Sequence, residues 1–298
     1  MRERGTSTVA LVRDDDRARG LGKALELIGG LGCFVNGREV LVKVNMCVAA
    51  GPEIGATCDP EVAAALIDEC YRRGASKVVV ADGSAVEMEE VLKLNPIREV
   101  ATRHEAEFID LDEGPHLRVR IRDGLAVDGY ILSQRALEAE ALINLAKLKT
   151  HSGAGITLTM KNLMGCILGG GSFDGGAYHW RDFSDRHKIH TTGFHRALVD
   201  LNTLLHPALN IIDGFTAQEG NSPFHGERVD MRIFIAGEDR VAVDATGCRA
   251  MGIEPETIGH IRLAAERGLG DIDPQVLGEE IESIRRKFRL PTHYTPHR

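Results

Sequence analysis

Metal-binding cysteine motifs, aromatic residues and long apolar runs are scarce in this sequence of 298 residues. The six cysteines are scattered, and no pair shows the CxxC spacing of metal fingers or the CxxCxxC run of ferredoxins. No apolar run approaches the roughly 20 residues that a membrane helix needs. We therefore expect neither a membrane span nor an iron–sulfur cluster, and we interpret the cysteines, Cys47 and Cys58 included, as inert free thiols.

A basic balance is also absent from the chain. Lys and Arg total 36 against 44 Asp and Glu, so the formal net charge is −8. This balance argues against a general nucleic-acid-binding protein, which usually carries a basic face. No apolar signal segment follows Met1. The expected location is therefore the cytoplasm.

Strand-like runs alternate with helical segments through most of the sequence. Residues 8–13, 39–45, 77–81 and 107–111 resemble strands, and Asp59 followed by Pro60 is a strong helix-start signal. Continuous apolar runs, such as residues 78–80, are typical of strands covered on both faces. The sequence therefore predicts an α/β protein with a largely parallel sheet and flanking helices, arranged as two packed lobes around a cleft.

A boundary between the lobes is predicted near residue 140. The first unit is an N-terminal α/β lobe, residues 1–140, and the second is a C-terminal α/β lobe, residues 141–284, with a Gly- and His-rich loop at 165–191. The basic segment 285–298 is predicted to be a surface arm. It is either loose or packed on a neighbouring subunit of a homo-oligomer.

Polar side chains follow four of the predicted strands. In open α/β sheets, ligands bind outside the carboxyl ends of the strands, so these residues are candidates for one site. They are Lys43, Asn45, Asp82, Ser84, Lys147, Lys149, His151 and Asp213. For Asp82 a turn-forming role is the structural alternative, and for Lys43 it is an amine that reaches water at the strand mouth.

Residues 147–155 are the most informative segment. Lys147, Lys149 and His151 lead into a Gly-containing turn and a predicted helix at 157–164 that carries Lys161 and Asn162. Backbone N–H groups at a helix start, with cations nearby, favour an anion. The Walker A and GxGxxG patterns are absent. The segment therefore predicts binding of a carboxylate or phosphate group.

The predicted catalytic residues are His151, as a general acid or base, with Asp82 or Asp213 in support. The predicted substrate-binding residues are Lys43, Asn45, Ser84, Lys147, Lys149, Lys161, Asn162 and Asp244. Asp244, near a helix start, either holds a lysine such as Lys43 or Lys161 or has a structural role. The loop at 165–191 is predicted to close over the site.

Seven of the twelve histidines lie between residues 151 and 225. Four of them have spacing that resembles that of metal ligands: His179, His187, His190 and His195. A divalent metal is therefore the alternative cofactor, although no HExxH motif or paired cysteine supports it. Histidines in a mobile loop that act as acid or base groups are the other interpretation.

The sequence resembles the family known as domain of unknown function 362 (DUF362). The resemblance rests on residues 43–45, 59–62, 80–84, 142–151 and 160–165, and it covers most of 8–272. It implies little about activity. Many relatives resemble iron–sulfur proteins because they carry an added ferredoxin-type module, whose cysteines this chain lacks. Where the family has proline and leucine beside the asparagine, this chain has Val44 and Met46.

Three functional hypotheses follow from these observations. The first is an enzyme that acts on a small anionic molecule or cofactor by acid–base chemistry, with redox chemistry also open. The second is a metal-dependent enzyme or a metal-handling protein that uses the four histidines. The third is a non-catalytic cofactor-binding protein or assembly factor. The substrate and the reaction class are not predicted.

Overall fold

Strands and helices alternate along much of the chain, and strands are present at all four places predicted in the first half, 8–13, 39–45, 77–81 and 107–111. The computed structural model describes residues 6–173, 178–181 and 184–294. Its strands are β1 (Thr8–Arg13), β2 (Glu39–Lys43), β3 (Lys77–Asp82), β4 (Glu107–Asp110), β5 (His116–Arg120), β6 (Gly129–Ser133), β7 (Ala141–His151), β8 (Gly155–Thr157), β9 (Gly171–Phe173), β10 (Tyr178–Trp180), β11 (Leu209–Asn221), β12 (His225–Gly237) and β13 (Gln275–Gly278).

The described part of the chain contains twelve α-helices. They are α1 (Arg17–Leu27), α2 (Gly32–Val35), α3 (Pro60–Arg72), α4 (Met88–Leu92), α5 (Ile97–Arg103), α6 (Gln134–Leu137), α7 (Thr159–Asn162), α8 (Lys188–Thr191), α9 (Phe194–Leu201), α10 (Arg240–Ala250), α11 (Gly259–Glu266) and α12 (Ile281–Ile284). Short 3₁₀ helices occur at Pro52–Ile54, Leu163–Cys166 and Pro255–Thr257. None of the helices in the described ranges has the length and apolarity that crossing a bilayer demands.

Within the described chain, nine strands form one mixed sheet. Its order is β13-β1-β12-β11-β7-β2-β3-β4, and β8 pairs with the end of β7. β12 runs antiparallel to β1 and β11, whereas β11, β7, β2, β3 and β4 are mutually parallel neighbours. The predicted α/β class with a largely parallel sheet is confirmed.

Helices cover both faces of this sheet. In β1, Val9 and Leu11 point into the buried cluster that contains the apolar residues of α10 and α11. Ala10 and Val12 point into the opposite cluster, with residues of α1 and α3. Because successive side chains of a strand point to opposite faces, this alternation shows helices packed on each side. A third cluster lies under the β5–β6 hairpin and α9.

The sheet runs across the predicted boundary at residue 140. β7 starts at Ala141 and pairs with β2 of the first half, and β1 pairs with β12 and β13 of the second half. The division into two lobes stays a prediction. Strands from both sides of residue 140 belong to one sheet, so the sheet does not end at the predicted boundary.

The prediction of a loose C-terminal arm is wrong for residues 285–294. Phe288 is buried, and its backbone N–H donates to the Met251 carbonyl at 2.9 Å. The Arg289 backbone N–H donates to a Glu219 carboxylate oxygen at 2.9 Å. Burial of the aromatic ring and these backbone hydrogen bonds hold the segment on its own chain. Residues 295–298 lie outside the described residues, and contact with a neighbouring subunit stays a prediction.

The central strand β7 is longer than predicted. Apolar periodicity indicates a strand at 141–145, but the structure continues it to His151, and all eleven residues are buried. Lys147 and Lys149 fit inside because each has polar partners, which a linear pattern does not show. The predicted helix at 157–164 begins later, at Thr159, because residues 155–157 form β8 and pair with β7.

The sheet has a topological switch point between β2 and β7. The chain proceeds from β2 to β3 and β4 in one direction across the sheet, and from β7 to β11 in the other. At such a point the connections diverge, and a crevice opens outside the carboxyl ends of the two central strands. Most of the predicted catalytic and substrate-binding residues lie in this crevice.

Candidate functional site

A cavity of about 250 Å³ occupies this crevice. Five of the eight residues predicted from strand ends line it, and the two predicted from the following helix line it as well: Lys43, Asn45, Asp82, Lys149 and His151, with Lys161 and Asn162. They come from stretches more than 100 residues apart in the sequence, and the parallel sheet brings them together. The volume is below the roughly 300–1,000 Å³ of pockets that hold drug-sized ligands, so the cavity fits a smaller molecule.

Lys43 and Asp82 form a buried ion pair at one wall. The Lys43 Nζ lies 2.5 Å from Asp82 Oδ1 and donates to the Val44 carbonyl at 2.7 Å. Asp82 also accepts hydrogen bonds from the backbone N–H groups of Met46 and Gly83, at 2.5 and 2.8 Å. Because these contacts occupy both carboxylate oxygens, Asp82 compensates Lys43 and holds the loop after β2. Its predicted support of catalysis stays a prediction.

A chain of asparagine side chains connects α7 to the sheet. Asn162 accepts from Asn45 Nδ2 at 2.7 Å and donates to Asn144 Oδ1 at 2.8 Å. Asn144 in turn donates to Asn210 Oδ1 at 3.1 Å. The amide oxygen of Asn45 is thereby directed to Lys149. The network positions cations, and the sequence analysis missed Asn144 and Asn210 because they lie inside apolar strands.

Lys149 is a buried ammonium without a carboxylate partner in the described ranges. Its Nζ donates to Asn45 Oδ1 at 2.8 Å, to the Ala56 carbonyl at 2.5 Å and to Cys47 Sγ at 3.1 Å. Burial lowers the pKa of Lys149. Its three N–H groups are therefore satisfied, whereas its positive charge has no formal counter-charge from Asp or Glu.

Lys161 is less constrained than the other lysines of the cavity. Within the ranges that the structure describes, its amine makes no hydrogen bond or ion pair, and it lies 5.8 Å from the centre of the Phe194 ring. Burial, with the positive charges of Lys149 and Arg186, lowers the pKa of Lys161 from 10.5 to about 7. A substantial fraction of this amine is therefore uncharged at neutral pH.

Asp244 contacts no lysine in the described ranges and takes the structural role that the sequence left open, while its place among the substrate-binding residues stays a prediction. Its Oδ1 accepts from the Thr159 backbone N–H at 2.7 Å and hydroxyl at 2.5 Å, and Oδ2 accepts from the Met160 N–H at 2.9 Å. Burial raises the pKa of Asp244 to about 7. Asp244 caps α7 and consumes the backbone N–H groups that the sequence analysis assigned to an anion.

His151 presents a hydrogen-bond donor to the cavity. Its Nδ1 accepts from the backbone N–H groups of Gly153 and Ala154, at 3.0 and 3.1 Å. Burial and the charge of Lys161 lower the pKa of His151 well below its usual range, so the ring is neutral. The proton of the neutral ring must then lie on Nε2. This geometry favours donation from Nε2–H over the predicted role as a general base.

Arg186 is a cavity residue that the sequence analysis missed. It is buried, pairs with Asp112 at 2.7 Å, and donates to the carbonyl oxygens of Ser84 and Ile167 at 2.5 and 2.7 Å. Ser84 itself is outside the cavity lining, and its hydroxyl accepts from the Val86 N–H, so its predicted substrate contact stays a prediction. No local motif marks Arg186, because its partners are distant in sequence.

Arg186 also belongs to the loop at 165–191, which is predicted to close over the site. Arg186 ties the C-terminal part of this loop to the edge of the cavity. Residues 174–177 and 182–183 of the loop lie outside the described residues. Closure of the loop over the site stays a prediction.

Lys147 and Asp213 form a second buried ion pair, 2.7 Å apart, outside the cavity lining. Burial raises the pKa of Asp213, and the Lys147 ammonium opposes that rise. The predicted support of His151 by Asp213 and the predicted substrate binding by Lys147 stay predictions, and the described contacts of the two residues are with each other. Each residue serves as the counter-charge of the other in adjacent strands, β7 and β11.

The four histidines of the metal hypothesis are not gathered into one site. They are His179, His187, His190 and His195, and all four belong to the described ranges. His187 Nδ1 contacts the Ser184 carbonyl, and His195 Nδ1 lies 2.9 Å from His260 Nδ1. No group of three or more His, Cys, Asp or Glu among the described residues is placed to hold a metal ion.

The cavity is suited to a negatively charged ligand. Four cationic side chains line it, Lys43, Lys149, Lys161 and Arg186, against the single carboxylate of Asp82. Thr157 also lines it, and its buried hydroxyl has no hydrogen-bond partner in the described part of the chain. Such a hydroxyl is unusual in a folded protein and is explained by a ligand or a water molecule. The arrangement can bind an anion and exchange a proton with it.

Comparison with known proteins adds a family and one curated relative. The model of a family described as "Domain of unknown function (DUF362)" matches residues 40–249. The "Thylakoid-associated protein sll1697" of Synechocystis sp. is 30% identical over 257 residues, which are 83% of this chain and 73% of that protein.

Several solved structures are similar in their backbone. One of them is the lactate racemase apoprotein from Thermoanaerobacterium thermosaccharolyticum, with a TM-score of 0.48 and 12% sequence identity. The match covers 83% of this chain, and the chain spans 57% of the length of that structure.

Proposed function

Because the chain belongs to the DUF362 family, whose description leaves the activity open, we propose a function from the cavity itself. The protein is an enzyme that binds a small organic anion, with a carboxylate or phosphate group, and performs acid–base chemistry on it. We place it in the cytoplasm, and self-association of the chain is compatible with this proposal.

One observation carries the proposal: positive charge at the cavity exceeds the negative charge that the described residues supply. Asp82 and Asp112 compensate Lys43 and Arg186. Lys149 and Lys161 have no carboxylate partner in these ranges. A buried charge without a counter-charge is costly, and an anionic ligand lowers that cost. Binding energy is therefore available to a ligand that brings negative charge.

The roles of the side chains follow from their protonation. Lys149 attracts the anion by charge, since its N–H groups are occupied by protein acceptors. His151 donates a hydrogen bond from Nε2–H to an oxygen of the ligand. Lys161, with a pKa of about 7, accepts a proton in its neutral form and returns it in its charged form.

The metal-dependent alternative has no supporting observation in the described residues, because no ligand set is assembled there. The non-catalytic alternative shares the cavity and differs in outcome. A binding protein releases its anion unchanged, whereas the proposed enzyme releases a chemically altered product.

Binding of sulfate tests the proposal, because sulfate keeps its charge between pH 6 and 8. We expect sulfate to raise the midpoint of thermal unfolding, more at pH 6 than at pH 8, because Lys161 is more fully protonated at pH 6. The Lys161→Met variant should bind sulfate about tenfold more weakly at pH 6, a change of about 1.4 kcal/mol. Calorimetric titration measures this change.

The matched control is Lys287→Met, which removes a positive charge from an exposed position outside the cavity. It should bind sulfate like the parent protein. Equal sulfate affinity in the Lys161→Met variant and the parent protein would contradict the proposal. Lys149 is the poorer choice for this test, because its removal leaves buried acceptors without donors and lowers stability.

A further inference from the structure

Lys161 has the properties of a nucleophile as well as those of a base. We propose that its amine condenses with the carbonyl carbon of a small oxo acid to form an imine, which names the substrate class of the proposed function and rests on it. The ligand then carries two groups, a carboxylate for the cations of the cavity and a carbonyl for Lys161.

The surroundings of Lys161 favour an uncharged amine. The ring face of Phe194, centred 5.8 Å away, is a weak partner for an ammonium, and no described residue accepts a hydrogen bond from the amine or forms an ion pair with it. Lys43, Lys149 and Arg186 line the same cavity, so a further positive charge there is disfavoured. Desolvation and neighbouring cations activate lysine amines as nucleophiles, because only the neutral form has a lone pair to donate.

The charge of the cavity selects the carboxylate. When the amine of Lys161 is neutral, Lys149 is the cavity ammonium that the described carboxylates leave uncompensated. One negative charge on the ligand balances it. A monocarboxylate with a carbonyl group meets this requirement, whereas a phosphate ester without a carbonyl group offers Lys161 no electrophilic carbon.

Two hydrogen-bond donors are available for the carbonyl oxygen and the carboxylate. His151 Nε2–H has no partner among the described residues, and the Thr157 hydroxyl is buried without one. Both residues line the cavity with Lys161. A donor at the carbonyl oxygen polarises the bond and stabilises the negative charge that develops there during attack.

The proposed step is balanced without a further reactant. The lone pair of Lys161 Nζ forms a bond to the carbonyl carbon, and one proton moves from nitrogen to oxygen to give a carbinolamine. The carbon–oxygen bond then breaks, and the oxygen leaves as water with the second amine proton. The product is an imine, and no atom is oxidised or reduced overall.

Reductive trapping tests the inference. Purified full-length protein is incubated with glyoxylate or pyruvate in the presence of cyanoborohydride, and the intact mass and peptide map are measured. We expect one adduct, located on Lys161, and a trapping rate that rises with pH through about 7. Acetone, a neutral carbonyl compound, should react at least about tenfold more slowly, because it brings no charge to Lys149.

Lys161→Arg is the informative variant, because it keeps a positive charge and cannot form an imine. It should bind sulfate and lose the adduct by about tenfold or more. If that variant does not fold, the peptide map of the parent protein still decides the point. An adduct on another lysine, or none with either oxo acid, overturns the inference. Retained sulfate binding in that case leaves the proposed function intact, whereas loss of both removes the two together.

Discussion

At the scale of single residues, the partner of each buried charge decides its role. Lys43 and Lys147 have carboxylates at 2.5 and 2.7 Å, and both are structural cations. Lys161 has no such partner in the described chain, and it lies in the same cavity as two other lysines. Since burial penalises the charged form, the unpaired lysine becomes the group whose protonation changes near neutral pH.

The low pKa of Lys161 predicts a pH dependence of stability. The unfolded chain holds a proton on this lysine up to about 10.5, whereas the folded protein releases it at about 7. The unfolded state therefore binds more protons between pH 7 and 10, and the contribution of this residue to stability rises with pH across that window. The slope is at most about 1.4 kcal/mol per pH unit for one proton.

Urea unfolding of the parent protein and the Lys161→Met variant from pH 7 to 10 isolates this contribution. Other titrating groups are common to both proteins, so the difference between the two curves belongs to Lys161. We expect the free energy of unfolding of the variant to exceed that of the parent most at pH 7 and least at pH 10. Parallel curves would mean that the lysine titrates normally in the folded protein.

At the scale of elements, α7 is a four-residue helix held from both ends. Asp244 caps its first turn, and Asn162 at its end joins the asparagine network. So short a helix has little stability of its own, and its position depends on these side chains. The contacts of Asp244 and Asn162 with the rest of the protein therefore place Lys161 in the cavity.

Replacement of the cap should displace α7. In Asp244→Asn, one oxygen that accepts a backbone N–H becomes an amide donor, so a buried N–H loses its acceptor. We expect a loss of stability on the order of 1–3 kcal/mol and weaker sulfate binding. The matched control is Asp239→Asn, which turns the oxygen that accepts the Asp271 backbone N–H into an amide donor, away from the cavity lining.

Asp239→Asn should lower stability and leave sulfate affinity unchanged. Thermal unfolding and calorimetric titration of the two variants provide both quantities. If both variants bind sulfate like the parent protein, Asp244 does not position α7 for sulfate binding.

At the scale of the whole molecule, the sheet interleaves the two halves of the chain. β1 lies between β12 and β13, and β2 is separated from β1 by β12, β11 and β7. The first half therefore holds two groups of strands that touch only through the second half. The cavity lies where β2 meets β7, which is also where the halves meet.

Expression of the fragments 1–140 and 141–298 tests this interleaving. In the fragment 1–140, β1 has neither of its sheet neighbours, so we expect no cooperative unfolding transition in circular dichroism. A mixture of the two fragments should recover a cooperative transition and sulfate binding. Cooperative unfolding of 1–140 alone would support the predicted boundary between two independent lobes.

The sequence by itself determined the fold class and, among the described residues that line the cavity, all the charged and amide side chains except that of Arg186. These depend on local signals: apolar periodicity, Asp59 and Pro60 at a helix start, and polar residues such as Lys43 and Lys149 near strand ends. Such signals lie within a few residues of one another and are readable along the chain.

Only the tertiary structure decided what each polar residue does. Lys147 meets Asp213 across 66 positions of sequence, and Thr159 meets Asp244 across 85. Arg186 meets Asp112 across 74. Whether a buried group is compensated depends on distance in space, and electrostatic interaction and hydrogen bonding act over a few ångströms regardless of the separation along the chain. The two cavity lysines that the described carboxylates leave without a counter-charge, Lys149 and Lys161, are therefore recognisable only after the chain has folded.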